Sequence, residues 1–286
     1  MNWVIVGQGA LGSLLAVKLQ QQQQTVAVLT RANAPAEPRW LDQQCYQFSA
    51  ITPAELLCSQ QPSTVVAAVK AYQLDALLKQ LAELPTQHQL LLSYNGMLDN
   101  EAQRLPPNCL HWVTTHGAYR DAQQLVHAGA GESWLGWQQP QLKPVPAELI
   151  TTLSAALPPC HWQPEIQRQR WQKLAINCLI NPFTVIHNCL NGELLGLGLE
   201  AEMLQLAGEI SALAGRLDGI DLLPEQLVTA AMDVATRTAA NRSSMLSDVR
   251  AGRRTEIDFL NGFVARQSAQ LGLTASANQL LWQQLS

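Results

Sequence analysis

The most constraining feature of this chain lies near its start. An apolar run, Trp3 to Val6, leads directly into Gly7-Gln8-Gly9-Ala10-Leu11-Gly12, and a segment with Leu14, Leu15, Val17 and Leu19 at helical spacing follows. The order reads strand, turn, helix. In a G-x-G-x-x-G turn the first glycine makes the tight bend, the second admits a pyrophosphate, and the third lets helix and strand approach closely. The helix that opens there aims free backbone N–H groups and its positive end at a phosphate. Taken alone the pattern is weak, and a glycine turn without a ligand is the alternative. Its flanking strand and helix favour a dinucleotide site made by Gly7, Gln8, Gly9, Ala10, Leu11 and Gly12.

A second strand is expected over Thr25 to Thr30, and Arg31 follows it. NAD sites carry an acidic residue at this place to accept hydrogen bonds from the ribose 2′-OH. Here the place holds Thr30-Arg31, and a guanidinium pairs with the 2′-phosphate of NADP. NADP(H) is therefore the expected cofactor, with a solvated surface arginine as the alternative reading of Arg31. Further strand-like runs occupy Thr64 to Val69, Gln89 to Ser93 and Leu110 to Thr115, with a helical pattern around Leu74 to Leu84. Such alternation predicts a parallel sheet covered on both faces. Leu125 to His127 and Ser133 to Trp137, separated by a stretch containing Gly129 and Gly131, resemble a hairpin extending that sheet. Ligands of open α/β sheets bind beyond the carboxyl ends of the strands. Lys70, Gln73 and Asn95 fall there and are cleft candidates; a surface lysine and an ordinary turn asparagine are the alternatives.

Past a patch containing Pro140, Pro144, Pro146, Pro158, Pro159 and Pro164 the strand signals stop, and long amphipathic segments punctuated by Gly192, Gly219, Gly252 and Gly272 take over. The expected architecture is an α/β, Rossmann-type dinucleotide-binding domain over residues 1–165, followed by an all-α domain over residues 166–286 that carries substrate and catalytic groups. A length of 286 residues accommodates two such cores. The formal net charge of -4 gives no electrostatic reason to expect nucleic acid. No stretch approaches the ~20 apolar residues that cross a bilayer. The six cysteines are scattered without a C-x-x-C pair, so reduced thiols and no bound metal are expected. With a strand starting at Trp3 and no room before it for a secretion signal, a cytoplasmic location is expected.

The richest segment of the second half is Arg170 to Cys189. Lys173, Asn177 and Asn181 recur at every fourth residue and form one polar stripe on a helix that is otherwise apolar. Ordinary helix solvation is one reading, and a lined cleft with an amine donor is the other. A second constellation is Asn241, Ser244 and Glu256. Gly252 can end one helix and Thr255 can cap the next, with Asp258 three residues later, which puts Glu256 in a first turn. A carboxylate there is also favourable for stability alone.

Together these pieces resemble the ketopantoate reductase (2-dehydropantoate 2-reductase) family over nearly the full chain. The matching segments are Gly7 to Gly12, Arg31, Val69 to Gln73, Asn95 to Met97, Thr115 to Asp121, Lys173 to Pro182, Asn188 to Leu194 and Ser243 to Gly262. Gly117 departs from the alanine common in the family. The resemblance implies NADPH-dependent reduction of 2-dehydropantoate to (R)-pantoate, on the path to pantothenate and coenzyme A, by a monomer or homodimer. It implies Lys173 as the catalytic acid, assisted by Glu256. Asn95, Asn177, Asn181, Asn191, Asn241 and Ser244 are implied around the substrate, and Lys70, Gln73, Asn95 and Glu256 beside the cofactor. A β-hydroxyacid dehydrogenase also pairs a helical lysine with an asparagine four residues on, but has glycines just before its lysine where this chain has Arg168-Gln169-Arg170-Trp171-Gln172. An NADP-binding sensor on a retained reductase fold is a further alternative, disfavoured by the intact acid, carboxylate and amide groups.

Overall fold

A computed structural model describes residues 2–30, 34–106, 108–121, 124–139 and 144–286. The strands are β1 (Asn2–Val6), β2 (Thr25–Leu29), β3 (Arg39–Leu41), β4 (Gln44–Tyr46), β5 (Ser49–Ile51) and β6 (Ser63–Ala68). They continue with β7 (Gln89–Ser93), β8 (Cys109–Thr114), β9 (Gly117–Asp121), β10 (Gln124–Gly129), β11 (Ser133–Trp137) and β12 (Cys160–Trp162). The helices are α1 (Ala10–Gln21), α2 (Pro53–Cys58), α3 (Leu74–Gln80), α4 (Glu101–Arg104), α5 (Ala147–Ala156) and α6 (Ile166–Ile186). After these come α7 (Glu200–Asp218), α8 (Pro224–Arg237), α9 (Ser244–Arg250), α10 (Asn261–Gln270) and α11 (Ser276–Leu285). The chain divides into two compact units, one of residues 1–94 and 102–166, the other of residues 95–101 and 167–286.

In the first unit an eight-stranded sheet runs β12-β11-β8-β7-β6-β1-β2-β5. Its strands β5, β2, β1, β6, β7 and β8 are parallel neighbours. They are short apolar runs because both faces are covered: all six residues of β8 are buried, as are Val65, Val66 and Ala67 of β6. Helix α1 packs Leu14, Leu15, Val17 and Leu19 into the core that also holds Trp3 and Ile5. Val6 pairs with Leu29 on one side and Ala67 on the other, and Ala68 pairs with Ser93. The carboxyl ends of β1, β2, β6 and β7 therefore line one edge. The chain leaves β1 toward β2 and β5 and returns to β6 on its other side, which makes a topological switch point between β1 and β6.

One sequence expectation is corrected here. The strands around Leu125 and Ser133 do not form a hairpin: β11 pairs antiparallel with β8 in the large sheet. β10 pairs with β9 in a separate four-stranded sheet of order β4-β3-β10-β9. β9 and β11 both lie within a few residues of β10, so local spacing does not decide which of them pairs with it. Within the proline patch lies a strand that spacing did not reveal, β12, which pairs parallel with β11. Three residues are too few for a periodicity to register.

The second unit is helical. Trp171, Leu174, Cys178 and Leu179 of α6 pack with Ile210 and Leu213 of α7 and with Phe263 and Val264 of α10. Pro182 lies inside α6; lacking an N–H, it leaves the Cys178 carbonyl without its helical donor. The Asn261 side-chain amide donates to that carbonyl at 3.5 Å and to Asn278 Oδ1 at 2.9 Å. Residues 95–101 join this unit through Met97, which is 3% exposed in the helical core. Asp99 accepts from Arg266 and Gln267 at 2.9 Å each, and Glu101 pairs with Arg170 through both guanidinium nitrogens.

Candidate active site

The glycine turn follows from the register. Gly7, directly after β1, has φ +74°, a conformation that only glycine takes without strain. Gly9 precedes α1 as its N-cap and offers no capping side chain, and no acidic residue sits in the first turn. The first N–H groups of α1 thus keep their donors for an external acceptor. A Cβ on Gly9 would meet only the Ala68 carbonyl, at 3.7 Å, whereas one on Gly12 would press on Ile5 Cγ2 at 3.2 Å. Open space above the turn and close helix–strand packing behind it are what a pyrophosphate cradle requires. Lys70 and Gln73 stand past the end of β6, where Gln73 Oε1 accepts from the Lys70 backbone N–H at 3.1 Å. Arg31 lies outside the described residues.

Three residues that the sequence reading did not single out converge on this turn. Arg120 donates to the Gln8 carbonyl at 2.9 Å, Arg39 donates to Gln8 Oε1 at 2.6 Å, and the Glu37 backbone N–H donates to the same oxygen at 3.0 Å. Arg39 is only 2% exposed. No sequence motif marks it, because its burial depends on partners that come from α1, the glycine turn and the loop before β3.

The second cluster is built on α6 and on the turn before α10. The helical repeat places Lys173, Asn177 and Asn181 on one face; Asn181 is buried and the other two are partly buried. Glu256 is 4% exposed, and Asn95 donates to its Oε2 at 3.0 Å. Asn95 is held there by its neighbours: the Met97 N–H donates to the Phe259 carbonyl at 2.9 Å. Gly96 has φ +80° and packs so tightly that a Cβ would fall on that same carbonyl. Burial pulls the Lys173 ammonium down from its ordinary 10.5 to about 8, against the opposing pull of the Glu256 carboxylate. Glu256 was expected in a helical first turn. It stands instead immediately before a single 3₁₀ turn, Ile257–Phe259, while Gly252, at φ +63°, closes the end of α9.

Asn191 and Asn241 meet through the main chain, where the Asn191 N–H donates to the Asn241 carbonyl at 3.0 Å. The Asn191 side chain donates to Thr238 Oγ1 at 2.8 Å, and its own Oδ1 is buried without a partner among the described residues. Ser244, the first residue of α9, is exposed, and among the described residues no hydrogen bond joins its side chain to the other candidates. The buried neighbour Ser243 caps the helix instead, accepting from the Leu246 N–H at 3.0 Å. The Thr184 hydroxyl donates to the Asn181 carbonyl at 2.7 Å. Ser243 must then be the donor in its 2.6 Å bond to Thr184 Oγ1, which fixes α9 against α6. A serine just before an apolar helical segment is an N-cap signal, but the tie of Ser243 to Thr184 is not local.

Residues 3–139 match the sequence model of the family described as ketopantoate reductase PanE/ApbA, and residues 165–286 match that of its C-terminal domain. A 2-dehydropantoate 2-reductase from Vibrio cholerae serotype O1 is 34% identical, the match covering 100% of this chain and 97% of the relative. Among solved structures, D-mandelate dehydrogenase bound to NADH and anilino(oxo)acetate superposes with a TM-score of 0.88 at 19% identity, covering 100% of this chain and 97% of that one. A 2-dehydropantoate 2-reductase from Geobacter metallireducens superposes with a TM-score of 0.85 at 20% identity, covering 100% and 99%. These structures share the fold, a dinucleotide-type parallel sheet followed by a helical domain. Among the described residues no helix is long and apolar enough to cross a membrane. With a relative this similar across its whole length and family models matching both of its parts, the chain belongs to the ketopantoate reductase family.

Proposed function

We propose that this protein reduces 2-dehydropantoate to (R)-pantoate with NADPH, in the cytoplasm, on the path to pantothenate and coenzyme A. Residues 1–165 serve as the nucleotide-binding domain and residues 166–286 as the substrate and catalytic domain, in a monomer or homodimer. The observation that carries the reading is Lys173: a partly buried amine, poised at about 8 between burial and the Glu256 carboxylate, on a helix face shared with two asparagines.

The Gly7 to Gly12 turn, with Lys70, Gln73 and Asn95, would hold the dinucleotide, and Arg31 would favour the 2′-phosphate. A bound reduced nicotinamide supplies the hydride. Lys173 supplies the proton: as negative charge develops on the ketone oxygen, its ammonium transfers H⁺ to that oxygen and is later reprotonated from solvent. A pKa near 8 leaves about nine in ten side chains protonated at pH 7 while keeping the proton easy to give up. Glu256 keeps the amine charged, and Asn95 fixes the orientation of Glu256. Asn177, Asn181, Asn191, Asn241 and Ser244 would orient the substrate carboxylate and hydroxyl. The orphaned Asn191 Oδ1 suits a hydroxyl donor.

A steady-state assay following NADPH absorbance, with 2-dehydropantoate beside a panel of 2-keto and 3-keto acids, tests the proposal. Preferred turnover of 2-dehydropantoate supports it, and turnover confined to other acids refutes it.

A further inference from the structure

A carboxylate stands at the glycine turn that the strand-end pattern does not announce. Glu37 lies in the segment joining β2 to β3, past Arg31, and its backbone is tied to Gln8 between the two turn glycines. A carboxylate in this part of a dinucleotide site, acting alone, accepts from a ribose 2′-OH and repels a 2′-phosphate. Here it does not act alone. Glu37 Oε2 accepts from Arg39 at 3.2 Å and from Arg120 at 3.1 Å. Both guanidiniums are in turn bonded to Gln8, and Arg39 also donates to Ser13 Oγ on α1 at 2.9 Å. Arg39 is fixed by its burial, whereas the Glu37 side chain is 55% exposed and the Arg120 side chain 30% exposed, within reach of a ligand. Burial and the neighbouring Arg120 both press against the Arg39 charge, and Glu37 relieves them.

We propose that Glu37, Arg39 and Arg120 are specificity-determining residues of the nucleotide site: the two arginines hold and neutralise Glu37, and the net single positive charge of the trio limits how strongly the turn prefers a dinucleotide with an additional phosphate. The inference rests on the reading of Gly7 to Gly12 as a dinucleotide site. It adds a determinant separate from Arg31, and it makes predictions of opposite sign. Removing the carboxylate leaves two positive charges and strengthens the preference. Removing Arg120 leaves none and weakens it. A unit charge within a Debye length, about 10 Å, of a phosphate bearing about two negative charges changes binding by about 3- to 10-fold at low salt.

The test is calorimetric titration of adenosine 2′,5′-bisphosphate and 5′-AMP into the full chain, its Glu37→Gln variant and its Arg120→Met variant, at low salt and at about 0.5 M salt, where screening is nearly complete. The ratio of kcat/KM for NADPH over NADH is measured alongside. The bisphosphate-to-AMP affinity ratio should rise about 3- to 10-fold in Glu37→Gln, fall by a similar factor in Arg120→Met, and converge at high salt. A ratio in Glu37→Gln within twofold of the unchanged chain overturns the proposal. That variant decides the matter even if Arg120→Met fails to fold, because the Glu37 side chain is exposed. The fragments report on the turn without turnover, so a shifted ratio in a chain inactive on 2-dehydropantoate would refute the proposed reaction and leave this inference standing.

Discussion

Replacing Glu256 by Gln removes a charge while keeping an oxygen that can accept from Asn95, so its effect should be on the Lys173 proton rather than on shape. In the intact chain two opposing influences set Lys173 at about 8: burial disfavours the ammonium, and Glu256 favours it. With Glu256 neutral, only the first remains, and the amine should fall by about one further pH unit, to about 7. The consequence is a defect that depends on pH. At pH 6 both proteins are about nine-tenths protonated or more, and ionisation contributes no difference. At pH 7 the variant loses about half its acid form, and at pH 9 it should be about tenfold below the parent. The assay is kcat/KM for the keto acid from pH 5.5 to 10 at saturating NADPH, where the alkaline limb reports the free acid's pKa. The parent limb should lie near 8 and the variant limb below it. A Glu256→Gln variant that loses activity by the same factor at every pH would refute the electrostatic role, and a parent limb near 10 would refute the assignment of Lys173 as the group observed.

Lys173→Ala should lower kcat by about 10²- to 10⁴-fold, the usual contribution of a general acid, and near-normal turnover would exclude the role. Because the folded chain holds Lys173 below its unfolded value, the unfolded state binds more protons, and stability should rise as pH increases from about 8 toward 10.5. Lys173→Met should abolish that rise, read as urea midpoints by circular dichroism from pH 7 to 10.5. Gly96→Ala forces a Cβ into the Phe259 carbonyl at a positive φ, and should cost about 2 kcal/mol or more of stability and displace Asn95, visible as a raised KM before any thermal failure. Thr184→Val leaves the Ser243 hydroxyl without its acceptor in a buried place and should cost about 1–3 kcal/mol, checked by denaturant titration. Arg31→Ala should reduce the preference for NADPH over NADH by about 10- to 150-fold, measured as the ratio of kcat/KM values.

What the sequence determined by itself was whatever is written in short-range spacing. The glycine turn after β1, the parallel strands as apolar runs, and the stripe of Lys173, Asn177 and Asn181 on α6 all follow from periods of 2.0 and 3.6 and from the φ that glycine permits. The proline patch marked where the pattern changes, although β12 lies within it because three paired residues carry too little periodicity to detect. Partnerships between distant segments were another matter. Only the tertiary structure decided that β10 pairs with β9 rather than β11, that residues 95–101 pack with the helical unit, and that Glu256 meets Asn95 161 residues away in sequence. The same holds for Arg39, a charged residue whose burial depends on Glu37, Gln8 and Ser13 arriving together to satisfy its guanidinium. Spacing encodes which face a side chain takes within its own element. What it meets there, and hence its charge state, depends on desolvation and on partners that long-range packing alone brings within reach.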